Sequence, residues 1–198
     1  PGLDEIVKCF ENRLEFKKFG LEPKITPSSE DVKNFSILWS KYQEYDRFFI
    51  EAGTYISKLM NISEDDNFLI YTNLIHRPID YLCDNNDGNH VRIIGNVGDS
   101  LAHKMIYGSV YVSGNAVDLA AMGLLGGTVV IGGNAKNQAG SFMKAGKLHV
   151  KGDVNDNAAY MIYGGEVVVD GSANHLAGFL MEGGKLTING HSGKGVGY

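Results

Sequence analysis

The sequence predicts a mainly β fold with an α-helical N-terminal segment, in which about six coils of 19 residues stack into a parallel β-helix, or solenoid. A unit of 19 residues repeats along residues 91–198 without a single-residue shift. The first and third residues of every copy are aliphatic, and the fifth is always glycine. The copies begin at Val91, Val110, Val129, Leu148, Val167 and Leu186. A fixed period of this size indicates that each copy is one coil stacked on the previous one.

Each coil is expected to begin with one short β-strand. Aliphatic residues such as Val110 and Val112 alternate with residues that vary freely between copies, such as Tyr111. This period of two predicts a strand with one buried face. The runs typical of leucine-rich repeats are absent, and the aliphatic residues do not recur at the spacing of a hexapeptide β-helix.

Glycine recurs at two fixed places in the coil and predicts two corners. The fifth residue of each copy is glycine: Gly95, Gly114, Gly133, Gly152, Gly171 and Gly190. Glycine also occupies the eighteenth place of the five complete copies: Gly108, Gly127, Gly146, Gly165 and Gly184. Glycine adopts positive φ angles and permits close approach of neighbouring backbones, so each coil is expected to turn at least twice.

The sixth residue of each copy is polar and allows two interpretations. Asparagine stands there in the first three copies, as Asn96, Asn115 and Asn134. Stacked asparagines can form a ladder in which each side chain bonds to the next coil. Alternatively, asparagine simply tolerates a left-handed turn after glycine. The two interpretations are compatible.

The interior of the solenoid is expected to be narrow, with one stack of bulky side chains. The eleventh and twelfth residues are mostly small, whereas the fifteenth is large and apolar. The bulky stack consists of Met105, Leu124, Met143, Ile162 and Met181. Its neighbour at the sixteenth place varies between Ile, Leu, Lys, Tyr and Glu, so Lys144 is predicted to face solvent.

Residues 1–90 are predicted to form a mostly helical capping or docking segment, and residues 91–198 the β-helix. Apolar residues at helical spacing indicate amphipathic helices near Ile6, Phe35 and Tyr55, and Ser28 or Ser29 is expected to cap the second of them. The stretch from Phe68 to Ile75 fits either a strand or a short buried helix. Because a solenoid ends in unpaired strand edges, these helices are expected to cover its first coil.

Composition argues against nucleic-acid and membrane partners. The net charge is -5, no basic patch is present, and no apolar run is long enough to span a bilayer. Cys9 and Cys83 are the two cysteines, and without a secretory signal they are expected to be free thiols rather than a disulfide. These features predict a cytoplasmic protein.

The sequence predicts no catalytic, cofactor-binding or metal-binding residue. The ninth residues include Asp99, Asp118 and Asp156, which can be interpreted as a cation site or, preferably, as a solvated turn. The histidines of the repeats occupy different places in their copies, so no metal site is indicated. A second hypothesis is an enzyme or ligand-binding protein with a groove on the coil surface or at the helical junction. Its lining would include Tyr107, Tyr111, Tyr160 and Tyr163.

The glycine pattern resembles the GXGXG repeat family. The run GNVGDSLAHKMIYGS at 95–109 and the run GSANHLAGFLMEGGK at 171–185 are similar to its pattern G-x-x-G-x-x-x-G-x-x-M-x-G-G. Alanine replaces the later glycine of the pattern at Ala102, Ala121 and Ala159. The family includes the C-terminal domain of the large chain of glutamate synthase and one of the chains of formylmethanofuran dehydrogenase. The resemblance implies a right-handed β-helix.

This resemblance also implies a supporting role. It suggests a non-catalytic scaffold or subunit-assembly module within an oxidoreductase or amidotransferase complex, bound to protein subunits of that complex or to further copies of itself.

The last strand, around Leu186 and Ile188, is expected to present an open edge and apolar section. We therefore expect this end to meet another chain, either a second copy or a different protein.

Overall fold

The computed structural model describes residues 2–16 and 23–197. Within these residues, helices α1 (Gly2–Phe16), α2 (Ser29–Leu38) and α3 (Phe48–Ile62) and a short 3-10 turn at Trp39–Lys41 precede the strands. The strands then follow in chain order: β1 (Asn67–Tyr71), β2 (Asp87–Ile94), β3 (Tyr107–Val112), β4 (Thr128–Ile131), β5 (Lys147–Val150), β6 (Glu166–Val169) and β7 (Lys185–Ile188).

The strands form one parallel sheet in which each strand pairs with the next along the chain. Val110 lies opposite Val129, and Val129 lies opposite Leu148, so the register advances by one repeat per coil. This arrangement confirms the predicted parallel β-solenoid with helices at its N-terminal side. Asp31 and Ser28 form a reciprocal capping box at the start of α2, so Ser28, the first of the two candidate serines, is the N-cap of a helix that begins at Ser29.

The interior has the predicted division into bulky and small stacks. We call the residues at the same place in successive coils a column. Side chains of the first-place and third-place columns are at most 3% exposed from coil one to coil five, and those of the fifteenth-place column are 0% exposed from coil one to coil four. Met143 is 0% exposed between Leu124 and Ile162, whereas Lys144 is exposed. Small residues such as Ala120 and Ala121 fill the narrow side of the core.

The sheet begins before residue 91, the predicted start of the β-helix. Strand β1 pairs with β2, and Phe68 lies opposite Val91, 23 residues later. Later in the same coil, paired residues are again 19 residues apart, as the hydrogen bond from the Gly98 N–H to Ile79 O shows. Four additional residues therefore lie between Tyr71 and Ile79. Because they interrupt the 19-residue period, the extra first coil is not detected as a repeat in the sequence. The stretch that fitted either a strand or a helix is a strand through Tyr71.

Helices α2 and α3 pack against this extra coil. Ser36 Oγ accepts a hydrogen bond of 3.1 Å from the N–H of Tyr71 at the end of β1. Phe49 O in α3 accepts a bond of 3.0 Å from the N–H of Asp80. Gly53 permits this contact, because a Cβ atom there would overlap Asp80 O. The helical segment thus covers the first coil through backbone contacts as well as through shared core residues.

The turn region of each coil alternates in backbone handedness. The tenth, twelfth and fourteenth residues have positive φ, although most are not glycine. In coil two these are Leu119 (φ 63°), Ala121 (φ 57°) and Gly123 (φ 67°). A left-handed conformation costs a residue with a Cβ atom about 1–2 kcal/mol. Ala102, Ala121 and Ala159 therefore occupy positions where glycine is favoured.

Ala121→Gly and Ala120→Gly are expected to differ in stability, although each removes one buried methyl group. Both alanines are 0% exposed, but only Ala121 has positive φ. Glycine relieves backbone strain at 121 alone, so Ala120→Gly should be the more destabilising by about 1 kcal/mol. Urea denaturation of the two variants measures this difference. A larger loss for Ala121→Gly would contradict the handedness of the turn.

Candidate functional site

The sixth-place residues form a ladder that joins successive coils. Asn96 Oδ1 accepts the N–H of Asn115 at 2.8 Å, and Asn115 Oδ1 accepts the N–H of Asn134 at 2.7 Å. The ladder continues through Asp153 to Ser172, whose Oγ accepts the N–H of His191 at 3.1 Å. None of the residues in this ladder has positive φ, so the left-handed interpretation of the asparagines does not describe them. The side chains bond to backbone N–H groups rather than to one another.

This ladder explains the glycine at the fifth place. A Cβ atom at Gly133 would overlap Asn115 Oδ1 of the preceding coil, and one at Gly152 would overlap Asn134 Oδ1. Of the fifth-place glycines, only Gly95 has positive φ. From the second coil onward, close approach of the ladder side chain and of the backbone of the preceding coil is therefore the reason for glycine here.

The ninth-place residues form a second ladder, which extends into the extra first coil. Asp80 Oδ1 accepts the N–H of Asp99 at 2.9 Å, and Asp99 Oδ1 accepts the N–H of Asp118 at 3.0 Å. Asn137 and Asp156 continue it as far as His175. The carboxylates interpreted as a solvated turn or a cation site thus each use one oxygen to join coils.

Asp80 is a half-buried carboxyl group at the start of this ladder. Burial raises the pKa of Asp80 above its ordinary value of 3.8, and the nearby Asp99 carboxylate adds to this effect. The hydrogen bond from the Asp99 N–H and the charge of Arg77 lower the pKa but do not outweigh burial. The ionised form of Asp80 is therefore disfavoured by folding.

Asp80→Asn is expected to stabilise the protein at pH 7 by up to about 1 kcal/mol. The folded pKa lies above the unfolded value, so wild-type stability falls as pH rises from 3.8 through the raised folded pKa. Asparagine keeps the acceptor oxygen and removes this loss, so its advantage should vanish below that window. Urea denaturation at pH 3 and pH 7 measures the difference, with Asp118→Asn as the control. A less stable Asp80→Asn protein at pH 7 would contradict this account.

A shallow groove of about 430 Å³ lies on the outer face of the sheet near the helical junction. His90 Nδ1 and Ser109 Oγ are 2.8 Å apart at one side of it. The Arg92 guanidinium lies 5.5 Å from the centre of the Tyr111 ring at the other side. Across residues 2–16 and 23–197, no carboxylate hydrogen-bonds the His90 ring. The histidine therefore lacks the orienting acid of a hydrolase triad.

The candidate groove tyrosines do not converge. Tyr111 lines the outer groove, whereas Tyr107 and Tyr163 are 57% and 47% exposed and do not line it. Tyr160 stacks with Phe179 at 6.1 Å between ring centres. The expectation that these residues line one groove is wrong, because they occupy different columns of the coil.

Three histidines of the repeats, His103, His149 and His175, each contact a single carboxylate. His103 meets Asp84 at 2.8 Å, and His149 meets Asp170 at 2.9 Å. In the part of the chain that the structure describes, no group of three or more His, Cys, Asp or Glu side chains is arranged to hold a metal ion. Cys9 and Cys83 are both free thiols.

Exposed and half-buried apolar side chains lie together on one flank toward the C-terminal end. Phe142 meets Tyr160 edge-on at 5.6 Å, and Tyr160 stacks on Phe179. Beside them, Leu176 and Leu180 are 38% and 45% exposed. We define the apolar flank as Phe142, Tyr160, Met161, Leu176, Phe179 and Leu180. Exposed apolar surface that is contiguous in this way is typical of protein–protein contact sites.

The last coil leaves a second apolar surface. Leu186 and Ile188 of β7 are only partly buried, whereas their counterparts Val167 and Val169 in β6 are 0% exposed. The depression there has a volume of about 530 Å³. We define the open end as Met181, Leu186, Ile188 and Val196, which line this depression.

Comparisons of the chain with protein-family models, with curated proteins and with solved structures found no match. Among the described residues, none of the helices has both the length and the apolar character needed to cross a bilayer.

Proposed function

We propose that this protein is a non-catalytic β-helical scaffold of the GXGXG type, which holds protein subunits together in a cytoplasmic oxidoreductase or amidotransferase complex. The apolar flank is its contact surface for those subunits. The single observation that carries the proposal is this flank, which presents three half-buried aromatic rings in contact and two exposed leucines on a regular rod.

The use of polar residues in the coils supports the proposal. In both ladders the side-chain oxygens accept hydrogen bonds from backbone N–H groups of the next coil, as those of Asn115 and Asp118 do. Groups committed to coil stacking stabilise and stiffen the rod rather than act on a substrate. A rigid rod with an apolar flank suits the positioning of other proteins. The glycine runs at 95–109 and 171–185 support the family assignment.

The test uses substitutions that remove the flank without straining the backbone. Leu176 and Leu180 have φ of 58° and 56°, and asparagine tolerates this left-handed conformation better than leucine. The double change Leu176→Asn and Leu180→Asn should therefore fold normally but lose its partner. Gln138→Asn, at the same place as Leu176 two coils earlier, is the matched control.

We expect purification from the native cell to recover the wild-type and Gln138→Asn chains with an enzyme subunit in fixed stoichiometry. The double variant should be recovered without it, at an unchanged melting temperature. Recovery of the wild-type chain without any enzyme subunit would contradict the scaffold function. So would an unchanged complex with the double variant.

A second candidate function is a ligand-binding protein that uses the outer groove. The contact of 2.8 Å between His90 and Ser109 in a groove of about 430 Å³ favours it. The variant His90→Ala with Ser109→Ala distinguishes the candidates. A scaffold should retain its complex and cellular function in this variant, whereas a groove-based binding protein should lose its function.

A further inference from the structure

The outer groove runs across the first three strands of the sheet, between two rows of side chains. Within each row, the three residues lie opposite one another in the register of β1, β2 and β3. The first row is Asn67, His90 and Ser109, and the second row, two residues further along each strand, is Leu69, Arg92 and Tyr111. Phe68 and Val91 lie between the rows and are each 3% exposed, so the groove floor is mainly strand backbone. The two rows are therefore its walls.

The distance between these walls favours a flat ligand. Side chains two residues apart on a strand are separated by about 6.6–7 Å. This separation is close to the sum of two van der Waals contacts of about 3.5 Å each. A planar ring therefore fits between the walls, whereas a puckered ring is too thick. The volume of about 430 Å³ lies within the range of small-molecule sites and leaves room for a ring with substituents.

The Arg92 guanidinium in the second wall has no acceptor of its own. Among residues 2–16 and 23–197, no oxygen atom forms a hydrogen bond or an ion pair with this group. It lies 5.5 Å from the centre of the Tyr111 ring, which supports its planar face. A guanidinium presents a planar fork of donors that matches the two oxygens of a carboxylate. Arg92 is therefore positioned to bind an anionic group before a ligand enters.

His90 provides a second donor on the opposite wall. It precedes Arg92 by two residues on β2, so the two side chains lie across the groove from each other. When the Ser109 hydroxyl donates to His90 Nδ1, at 2.8 Å, the proton of the neutral ring lies on Nε2. None of the described residues that line the groove is acidic. An anion between Arg92 and His90 therefore has donors on both sides and no carboxylate of the lining to repel it.

We infer that the outer groove binds a planar aromatic carboxylate, with its ring between the two walls and its carboxylate between Arg92 and His90. This inference rests on the groove of the second candidate function and names its ligand class. It also goes beyond the scaffold function, because the two surfaces are separate. The groove lies on the strand face of the extra first coil and coils one and two, whereas the apolar flank lies on the turns of coils three to five.

The test is a titration of the full chain with benzoate, followed by two-dimensional proton–nitrogen NMR. Benzoate should bind saturably with a Kd of about 1–10 mM, and the largest shifts should lie on β1, β2 and β3 around the groove. Two matched compounds separate charge from shape. Cyclohexanecarboxylate keeps the carboxylate on a puckered ring, and benzamide keeps the flat ring without the charge. Each should bind at least about fivefold more weakly than benzoate.

Two variants locate the site. Arg92→Gln removes the charge and should weaken benzoate binding about tenfold. Tyr111→Val removes the ring that supports Arg92 and introduces the residue found at the same place in the next coil, Val130. It should weaken binding about threefold. Lys147→Gln is the matched control, because it removes a cation from the column of His90 three coils later, and it should leave the Kd unchanged.

Absence of saturable binding would overturn the inference, as would shifts that lie away from the groove. Equal affinity for cyclohexanecarboxylate or benzamide would also overturn it, and so would a folded Arg92→Gln protein that binds benzoate as tightly as the wild type. The NMR spectra show whether each variant is folded. Failure of this test leaves the scaffold proposal intact, since recovery of the enzyme subunit tests that proposal. The cellular effect of His90→Ala with Ser109→Ala separately tests the second candidate function.

Discussion

Met143→Asp is expected to destabilise the protein by about 4 kcal/mol or more, or to prevent folding. Met143 is 0% exposed, and its neighbours in the column, Leu124 and Ile162, are also 0% exposed. An aspartate there has no cation to pair with among these aliphatic side chains. It must be buried as an unpaired charge or take up a proton, and both cost free energy. Thermal and urea denaturation measure the loss.

Two variants serve as controls for this change. Lys144→Asp alters the charge of the next residue, which is exposed, and should change stability by less than about 0.5 kcal/mol. Met143→Leu keeps the volume and should cost less than about 1.5 kcal/mol. Equal melting temperatures for Met143→Asp and Lys144→Asp would show that the assignment of inward and outward side chains is wrong.

Gly146→Ala is expected to cost about 3 kcal/mol or more. Gly146 has φ of 81°, and an added Cβ atom would lie 2.7 Å from Gly127 O and 2.8 Å from Gly126 C in the preceding coil. Both neighbours are backbone atoms held by the stacking of coils, so they cannot move aside without shifting a whole coil. Backbone strain and overlap therefore add at this residue.

Gly123→Ala separates strain from overlap. Gly123 has a similar φ of 67°, but the nearest atom to an added Cβ is the flexible Lys104 Cγ, at 3.5 Å. Phe142 and Met161 adopt positive φ at the same place in later coils. Gly123→Ala should therefore cost only about 1 kcal/mol. If both alanine variants lost the same stability, backbone overlap would not be the reason for glycine at 146.

The repeat makes the β-solenoid predictable, since an unbroken period fixes both the strand positions and the parallel register. Met143 and Lys144 can be assigned to inside and outside because the columns differ in chemistry between copies. The first coil cannot be found in this way, because an insertion between Tyr71 and Ile79 breaks the period. Only contacts made in three dimensions, such as Asp80 with Asp99, reveal that it belongs to the stack.

The second ladder has a signal in the sequence, although the charge of its residues favours a solvated turn or a cation site. Asp99, Asp118, Asn137 and Asp156 share with the asparagine column a side-chain oxygen at the same distance from Cα. That common atom is the signal for a ladder. The apolar flank is not predictable from the sequence, because its exposure depends on which turn residues point outward. The alternating φ angles determine which turn side chains point outward, and coil stacking determines those angles.

Hydroxyl-radical footprinting of the chain alone and in its native assembly tests the scaffold function most directly. Met161 and Phe179 lie on the apolar flank, whereas His90 and Tyr111 line the outer groove, and all four side chains react readily with radicals when exposed. The scaffold account predicts that Met161 and Phe179 become protected in the assembly while His90 and Tyr111 keep their reactivity. Protection of His90 and Tyr111 with a fully reactive flank would contradict it.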